Sequence, residues 1–219
     1  KIQGITFKNG VEDSTFAVHI YSEMSSIYGS DLRFTNGHSA GYSVFLSKQS
    51  AINLNNCTFY KNNGGALHFN ASSIGMLSNI FFEANLGSNG GALNIEGNSD
   101  VEIINSTASR HQSLTNGGFA LVRKGSVLNI SALFSEINFA TNGGFVAVDQ
   151  SSTLHLKNST LKSCSAAING GGLFISEERF VKISNIVNLD SQSKQGGFLF
   201  INKKSLAMVV TVNSTRSSA

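Results

Sequence analysis

Apolar and polar positions alternate in short bursts that return at a nearly constant interval along the chain. Gly64-Gly65-Ala66-Leu67-His68-Phe69 comes back as Gly90-Gly91-Ala92-Leu93-Asn94-Ile95, then in altered form from Gly117, Gly143, Gly171 and Gly196. Weaker copies begin at Phe16 and Tyr42. The residues after each glycine pair, at positions 16, 42, 66, 92, 119, 145, 172 and 198, are 24 to 27 apart. A period in that range marks a solenoid of stacked repeats. Within each repeat, alternation turns Leu67 and Phe69, Leu93 and Ile95, Ala120 and Val122, Val146 and Val148, Leu173 and Ile175, and Leu199 and Ile201 inward. A second strand carries Ile52/Leu54, Val101/Ile103, Leu128/Ile130 and Leu154/Leu156. A third short run ends on Phe7, Phe34, Phe59, Phe82, Ala108, Phe134, Leu161 and Val187, predicting a stacked internal column.

Between the second and third strands lies a column of Gly4, Asp31, Asn56, Asn79, Asn105, Ala132, Asn158 and Asn185, continued with shifted register by Asn213. All but Ala132 are types that tolerate a left-handed backbone, and stacked asparagine amides can bond to one another. The pattern predicts an asparagine ladder at a repeated corner. With three short strands per coil, it predicts an all-β, right-handed single-stranded parallel β-helix of about eight coils. One coil cannot bury its own apolar face, but coils about 4.8 Å apart share a core, giving a rod about 40 Å long.

Composition agrees. The 219 residues are 41% hydrophobic and 13% charged, with 22 glycines and no proline, which suits many strands joined by glycine and asparagine turns. The net charge of +3 comes without a basic run longer than Lys203-Lys204, which argues against a nucleic-acid partner. No stretch has the ~18 uninterrupted apolar residues of a membrane span, and no signal-peptide pattern opens at Lys1. The first strands at Ile2 and Ile5 and the last at Met208 to Val212 carry no polar cap. Positions 1–219 are therefore expected to be one β-helix segment from inside a longer protein.

Gly-Gly-Ala-Leu (64–67 and 90–93) together with Phe-x-x-Asn (Phe59 to Asn62, Phe82 to Asn85) resembles the repeat of the chlamydial polymorphic outer-membrane proteins, also found in surface proteins of eukaryotic microbes. The resemblance implies a pectin-lyase-like β-helix displayed outside the cell in an adhesive or scaffold role. In the later repeats Phe119, Phe145, Gly172 and Phe198 replace the alanine, and Phe-x-x-Asn stops at Asn85.

Candidate chemistry is sparse. Gly37-His38-Ser39-Ala40-Gly41 fits a nucleophile-elbow pattern but is followed by a strand-like run, where the elbow needs a helix. A lyase or hydrolase needs clustered carboxylates, or a base beside acidic ligands. Only Glu96, Arg123 and Asp149 align, as an acid, base, acid column expected at the surface. His19, His38, His68, His111 and His155 fall in different columns, so no metal site is expected, nor any cofactor. Cys57 and Cys164 lie four coils apart, too far for a disulfide, and are expected to be free thiols. Sequons begin at Asn56, Asn70, Asn105, Asn129, Asn158 and Asn213; with the ladder amides taken as buried, Asn70 and Asn129 remain as acceptors.

The middle residues of the first strand, outward by alternation, turn from polar His68 and Asn94 to apolar Leu121, Ala147, Phe174 and Phe200. This predicts a lateral protein contact through Leu121, Phe174 and Phe200, enlarged by Phe119, Phe145 and Phe198 unless a corner tucks them inside. The expected role is a non-catalytic rod or scaffold, extracellular or on the cell surface, binding neighbouring protein and in a further reading glycans. The alternatives are a carbohydrate-active enzyme or a glycan-binding module on the same fold.

Overall fold

The computed structural model describes residues 2–12, 17–39, 41–177 and 180–219. Phe16 and Ala40 therefore lie outside the described residues. Every strand pairing is parallel, and the chain winds through one coil per repeat. An eight-stranded sheet is built in sequence order from Ala17–Glu23, Tyr42–Ser47, Leu67–Phe69, Leu93–Ile95, Ala120–Val122, Val146–Val148, Leu173–Ile175 and Leu199–Ile201. The register runs Leu67 to Leu93 to Ala120 to Val146 to Leu173 to Leu199, as the glycine spacing predicts. A thirteen-stranded sheet holds the second and third strands of each coil, which are separate in the early coils and from residue 100 onward fuse within each coil into ten-residue strands such as Asp100–Ser109 and Val127–Glu136.

Those long strands bend at the predicted corner. Asp31, Asn56, Asn79, Asn105, Ala132, Asn158 and Asn185 all have φ between 48° and 56°, with Gly4 at 66°. Thr211, at 53°, takes the last corner, whereas Asn213 pairs with Val187 inside a strand. The shifted register expected for Asn213 is thus replaced by an unshifted one in which a threonine accepts the left-handed backbone.

Counting from this corner decides what is inside. Leu54, Ile103, Ile130 and Leu156 before it are buried, as the alternation predicts. Three residues beyond it, Phe34, Phe59, Phe82, Ala108, Ser135, Leu161 and Asn188 are buried. Phe134 and Val187, expected in this column, instead point outward and are 42% and 39% exposed. The fixed offset from the corner outranks apolarity, because the two polar substitutes are paired. Ser135 Oγ accepts from Asn138 Nδ2 at 2.7 Å, and Asn188 Oδ1 accepts from Ser191 Oγ at 2.6 Å.

Core volume is balanced within coils. Phe59 and Phe82 face Ala66 and Ala92 across the interior, whereas the coils with Ala108 and Ser135 put Phe119 and Phe145 at the anchor. The rings stack: Phe7 on Phe34 at 4.8 Å, Phe34 on Phe59 at 4.7 Å, Phe59 on Phe82 at 5.4 Å, and Phe119 on Phe145 at 5.5 Å. Phe119 and Phe145 are therefore core residues rather than an extension of a surface patch, and Phe198 packs against the core from a partly buried position. The glycine pair at 117–118 shows what each turn needs. Gly117 has φ of 72°, and a Cβ on Gly118 would fall 2.0 Å from Gly144 O in the next coil.

Candidate functional site

Columns of polar side chains tie coil to coil, and of these only the one at the corner was expected. At the corner, Asn56 Nδ2 donates to Asp31 Oδ1 (2.7 Å), Asn105 Nδ2 to Asn79 Oδ1 (2.6 Å) and Asn185 Nδ2 to Asn158 Oδ1 (3.0 Å). Asn79 Nδ2 reaches Asn55 Oδ1 (2.8 Å) rather than Asn56, so the ladder sidesteps there. These amides are solvent-exposed, contrary to the buried ladder expected. A left-handed residue at a convex corner directs its side chain outward, and the stack is held by hydrogen bonds alone. The reason for excluding Asn105 and Asn158 as glycan acceptors therefore falls. Asn70 and Asn129 are themselves half-buried: Asn70 Oδ1 accepts from Ala71 N (2.7 Å), and Asn129 Nδ2 donates to Asp100 Oδ1 (3.3 Å).

The second column is inside. Asn62, Asn85, His111, Asn138 and Cys164 are each at most 1% exposed. Gly37 N donates to Asn62 Oδ1 (3.0 Å), Asn62 N to Asn85 Oδ1 (3.0 Å), Asn85 N to His111 Nδ1 (3.1 Å) and His111 N to Asn138 Oδ1 (3.0 Å). Each side chain accepts a backbone N–H from the preceding coil, where the chain turns and strand pairing is interrupted. This is the structural content of Phe-x-x-Asn: a buried ring, then three residues on a buried acceptor. His111 and Cys164 continue the column where asparagine is lost, which is why five histidines in apparently unrelated columns concealed one. Burial drives the His111 pKa down to about 3, so the ring is neutral. A serine column does the same after the first strand: Ser73 N, Ser99 N and Ser126 N donate to Ser99, Ser126 and Ser152 Oγ at 3.1 to 3.2 Å.

A buried cluster of charge lies on the outer face of the eight-stranded sheet. Glu96, expected at the surface, is 6% exposed. Its Oε1 lies 3.0 Å from His68 Nε2, and its Oε2 lies 2.7 Å from Lys124 Nζ and 3.1 Å from Arg123 Nε. Three successive coils thus meet at one carboxylate. Asn94 Nδ2 approaches His68 Nε2 at 3.1 Å, and the His68 ring packs edge-on against Phe45 at 4.5 Å and tilted against Tyr42 at 5.1 Å. The Tyr42 hydroxyl donates to the Asn89 carbonyl, and burial raises its pKa. The His68 contact, opposed by burial and helped by Lys124 and Arg123, lowers the Glu96 pKa to about 2. A carboxylate held ionised with both oxygens engaged is a poor proton acceptor. Asp149, expected as an exposed third rung, is half-buried, and its Oδ1 accepts from Gln150 N at 2.9 Å.

The other expected sites resolve as follows. The strand Tyr42–Ser47 begins directly after Gly41, so the helix that an elbow requires is not there. Cys57 and Cys164 are free and buried; burial raises both thiols, Cys164 to about 11. Leu121 and Ala147 are 2% and 0% exposed, so the expected four-coil apolar stripe does not exist as a surface. The glycine turns fold back over the strand backbone here: a Cβ on Gly117 would lie 2.0 Å from Ala120 O and 2.9 Å from Leu121 N. Phe174 and Phe200 remain half-buried outside the core, stacked at 5.8 Å with planes 7° apart.

The right-handed beta helix region family matches residues 16–205. The chain belongs to this family. A comparison with curated proteins returns no significant match. Membership supplies the handedness of the coil and is compatible with rods and with pectin-lyase-like domains alike. Among the described residues, no helix is long and apolar enough to cross a membrane.

Proposed function

We propose that this β-helix is a non-catalytic rod, part of an extracellular or cell-surface protein, that makes lateral protein contacts through the Phe174 and Phe200 pair. The observation that carries the reading is the state of Glu96. It is the only buried carboxylate among the described residues, and it is spent on three cationic or imidazole neighbours drawn from adjacent coils. Such a group staples coils together rather than moving protons. Display outside the cell draws support from the Gly-Gly-Ala-Leu and Phe-x-x-Asn resemblance to the chlamydial surface repeats and from the exposed sequons. The stacked phenylalanines are the part of the apolar outer strand column that is half-buried rather than buried.

Two measurements test it. Incubation with a panel of acidic and neutral polysaccharides is expected to release no new reducing ends or unsaturated products; release that Glu96→Gln abolishes overturns the non-catalytic reading. Phe174→Ser with Phe200→Ser is expected to weaken self-association in sedimentation at unchanged circular dichroism. Unchanged association in that variant removes the lateral contact.

A further inference from the structure

On the far side of the coil lies the outer face of the long-strand sheet. Between coils 100–109 and 180–189 this face holds a depression of about 290 Å³ lined by Glu102, Asn129, Ser131, His155, Lys157, Lys182 and Ser184. That is near the lower end of small-ligand pockets, roughly 300 Å³. The lining is two parallel columns. Glu102, Asn129, His155 and Lys182 are register partners in turn, as are Ser131, Lys157 and Ser184.

Lys48, Arg110, Arg123, Lys124, Lys162, Lys203 and Arg216 all pair with an acid, most of them one coil away. Among the described residues no acid pairs with Lys157 or Lys182, which lie one coil and two residues apart, roughly 8 Å between Cα atoms. Both exposed ammonium groups therefore reach a single anion bound between them. Beside them, His155 leans on the Phe180 ring at 6.2 Å, and Phe180 is 39% exposed. Neutral hydrogen-bonding groups, Asn129, Ser131 and Ser184, line the rest, and Glu102, with Asp100 beside it, closes the opposite end.

We infer that this trough binds an acidic sugar unit of a glycan chain, its carboxylate or sulfate between Lys157 and Lys182 and its hydroxyls toward Asn129, Ser131 and Glu102. Phe180 with His155 supplies a surface for the apolar face of the ring. A lone anion uses only the lysines. A sugar acid uses both ends of the trough, and the rod axis leaves room for the chain on either side.

The test uses protein made in a host without N-glycosylation, because a glycan on Asn129 fills the trough. Uronate oligosaccharides, sulfated oligosaccharides and neutral oligosaccharides of equal length are titrated calorimetrically. Binding of one or both acidic series, at least ten-fold tighter than the neutral series, is expected. Which acidic series binds identifies the anion. Lys157→Ala with Lys182→Ala is expected to weaken binding at least ten-fold, and Asn129→Ala by a smaller factor, while Lys204→Ala leaves it unchanged. Circular dichroism confirms that each variant is folded. Absence of binding by both acidic series, equal binding of the neutral one, or equal loss in Lys204→Ala overturns the inference. None of these variants touches Phe174 or Phe200, so the lateral contact stands or falls on its own measurement.

Discussion

Phe82 and Phe119 meet edge to face, ring centroids 5.4 Å apart and planes at 67°, although they come from different columns of their coils. The aromatic stack that runs up the third strand from Phe7 to Phe82 crosses there to the anchor column and continues through Phe145. Ala92 leaves room for the first half of the stack and Ala108 for the second. Interiors are packed too tightly for both columns to be large at one level.

Ala108→Phe alone is expected to destabilise the chain by about 1–3 kcal/mol through overpacking, and Phe119→Ala alone by about 3–5 kcal/mol through the cavity it leaves. The double variant restores one ring per coil. It should be more stable than the sum of the single changes by about 1–3 kcal/mol. Denaturant midpoints of the four proteins check this; strict additivity would place the two side chains in separate environments.

The corner column has one gap. Ala132, with φ of 53°, neither favours the left-handed backbone nor offers an amide between Asn105 and Asn158. Ala132→Asn is expected to stabilise by about 1 kcal/mol. Asn105→Leu should cost about 1–2 kcal/mol, the smaller part from the exposed bond to Asn79 and the larger from the backbone. Thermal melts of the two variants should move in opposite directions.

Ile137 occupies a different strained turn: it is a β-branched residue at φ of 54°, 51% exposed. It loses little contact when replaced, so Ile137→Gly is expected to raise stability by about 1 kcal/mol. A lower melting temperature would mean the isoleucine is held by packing that outweighs its backbone cost.

The Glu96 staple gives a pH signature. Its carboxyl titrates near 2 in the fold against an ordinary 4.5, so its stabilisation is complete above 4.5 and is lost as pH falls toward 2. Glu96→Gln should be less stable at neutral pH, with His68, Arg123 and Lys124 left without their anion, and its stability should fall less steeply from pH 4.5 to 2. Equal slopes in urea titrations at several pH values would show that Glu96 is solvated.

The coil period, the parallel register and the left-handed corner were legible in the sequence because each repeats a residue type at fixed spacing. Less legible was anything in which one type substitutes for another in the same job. Ser135 and Asn188 replace phenylalanine inside because Asn138 and Ser191 satisfy them, and sequence alternation prefers the apolar Phe134 and Val187 instead. His111 continues an asparagine column because an imidazole nitrogen also accepts a backbone N–H. Leu121 and Ala147 face outward by alternation yet are covered by turns whose reach depends on glycine φ. The meeting of His68, Glu96, Arg123 and Lys124 depends on diagonal contacts across three coils, which column alignment does not display.

The interior column links the coils from Asn62 to Asn138, and His111 is its basic rung. Its ring nitrogens can be followed by ¹⁵N NMR from pH 7 to 4. A buried imidazole accepting from Asn85 N through Nδ1 keeps its single proton on Nε2 throughout, since its pKa lies near 3. As the unfolded chain takes up a proton below about 6.5 and the fold does not, stability should decline across the same range. Titration of His111 near 6.5, with rapid loss of the Asn85 amide to hydrogen exchange, would contradict the stacked interior on which the rod depends.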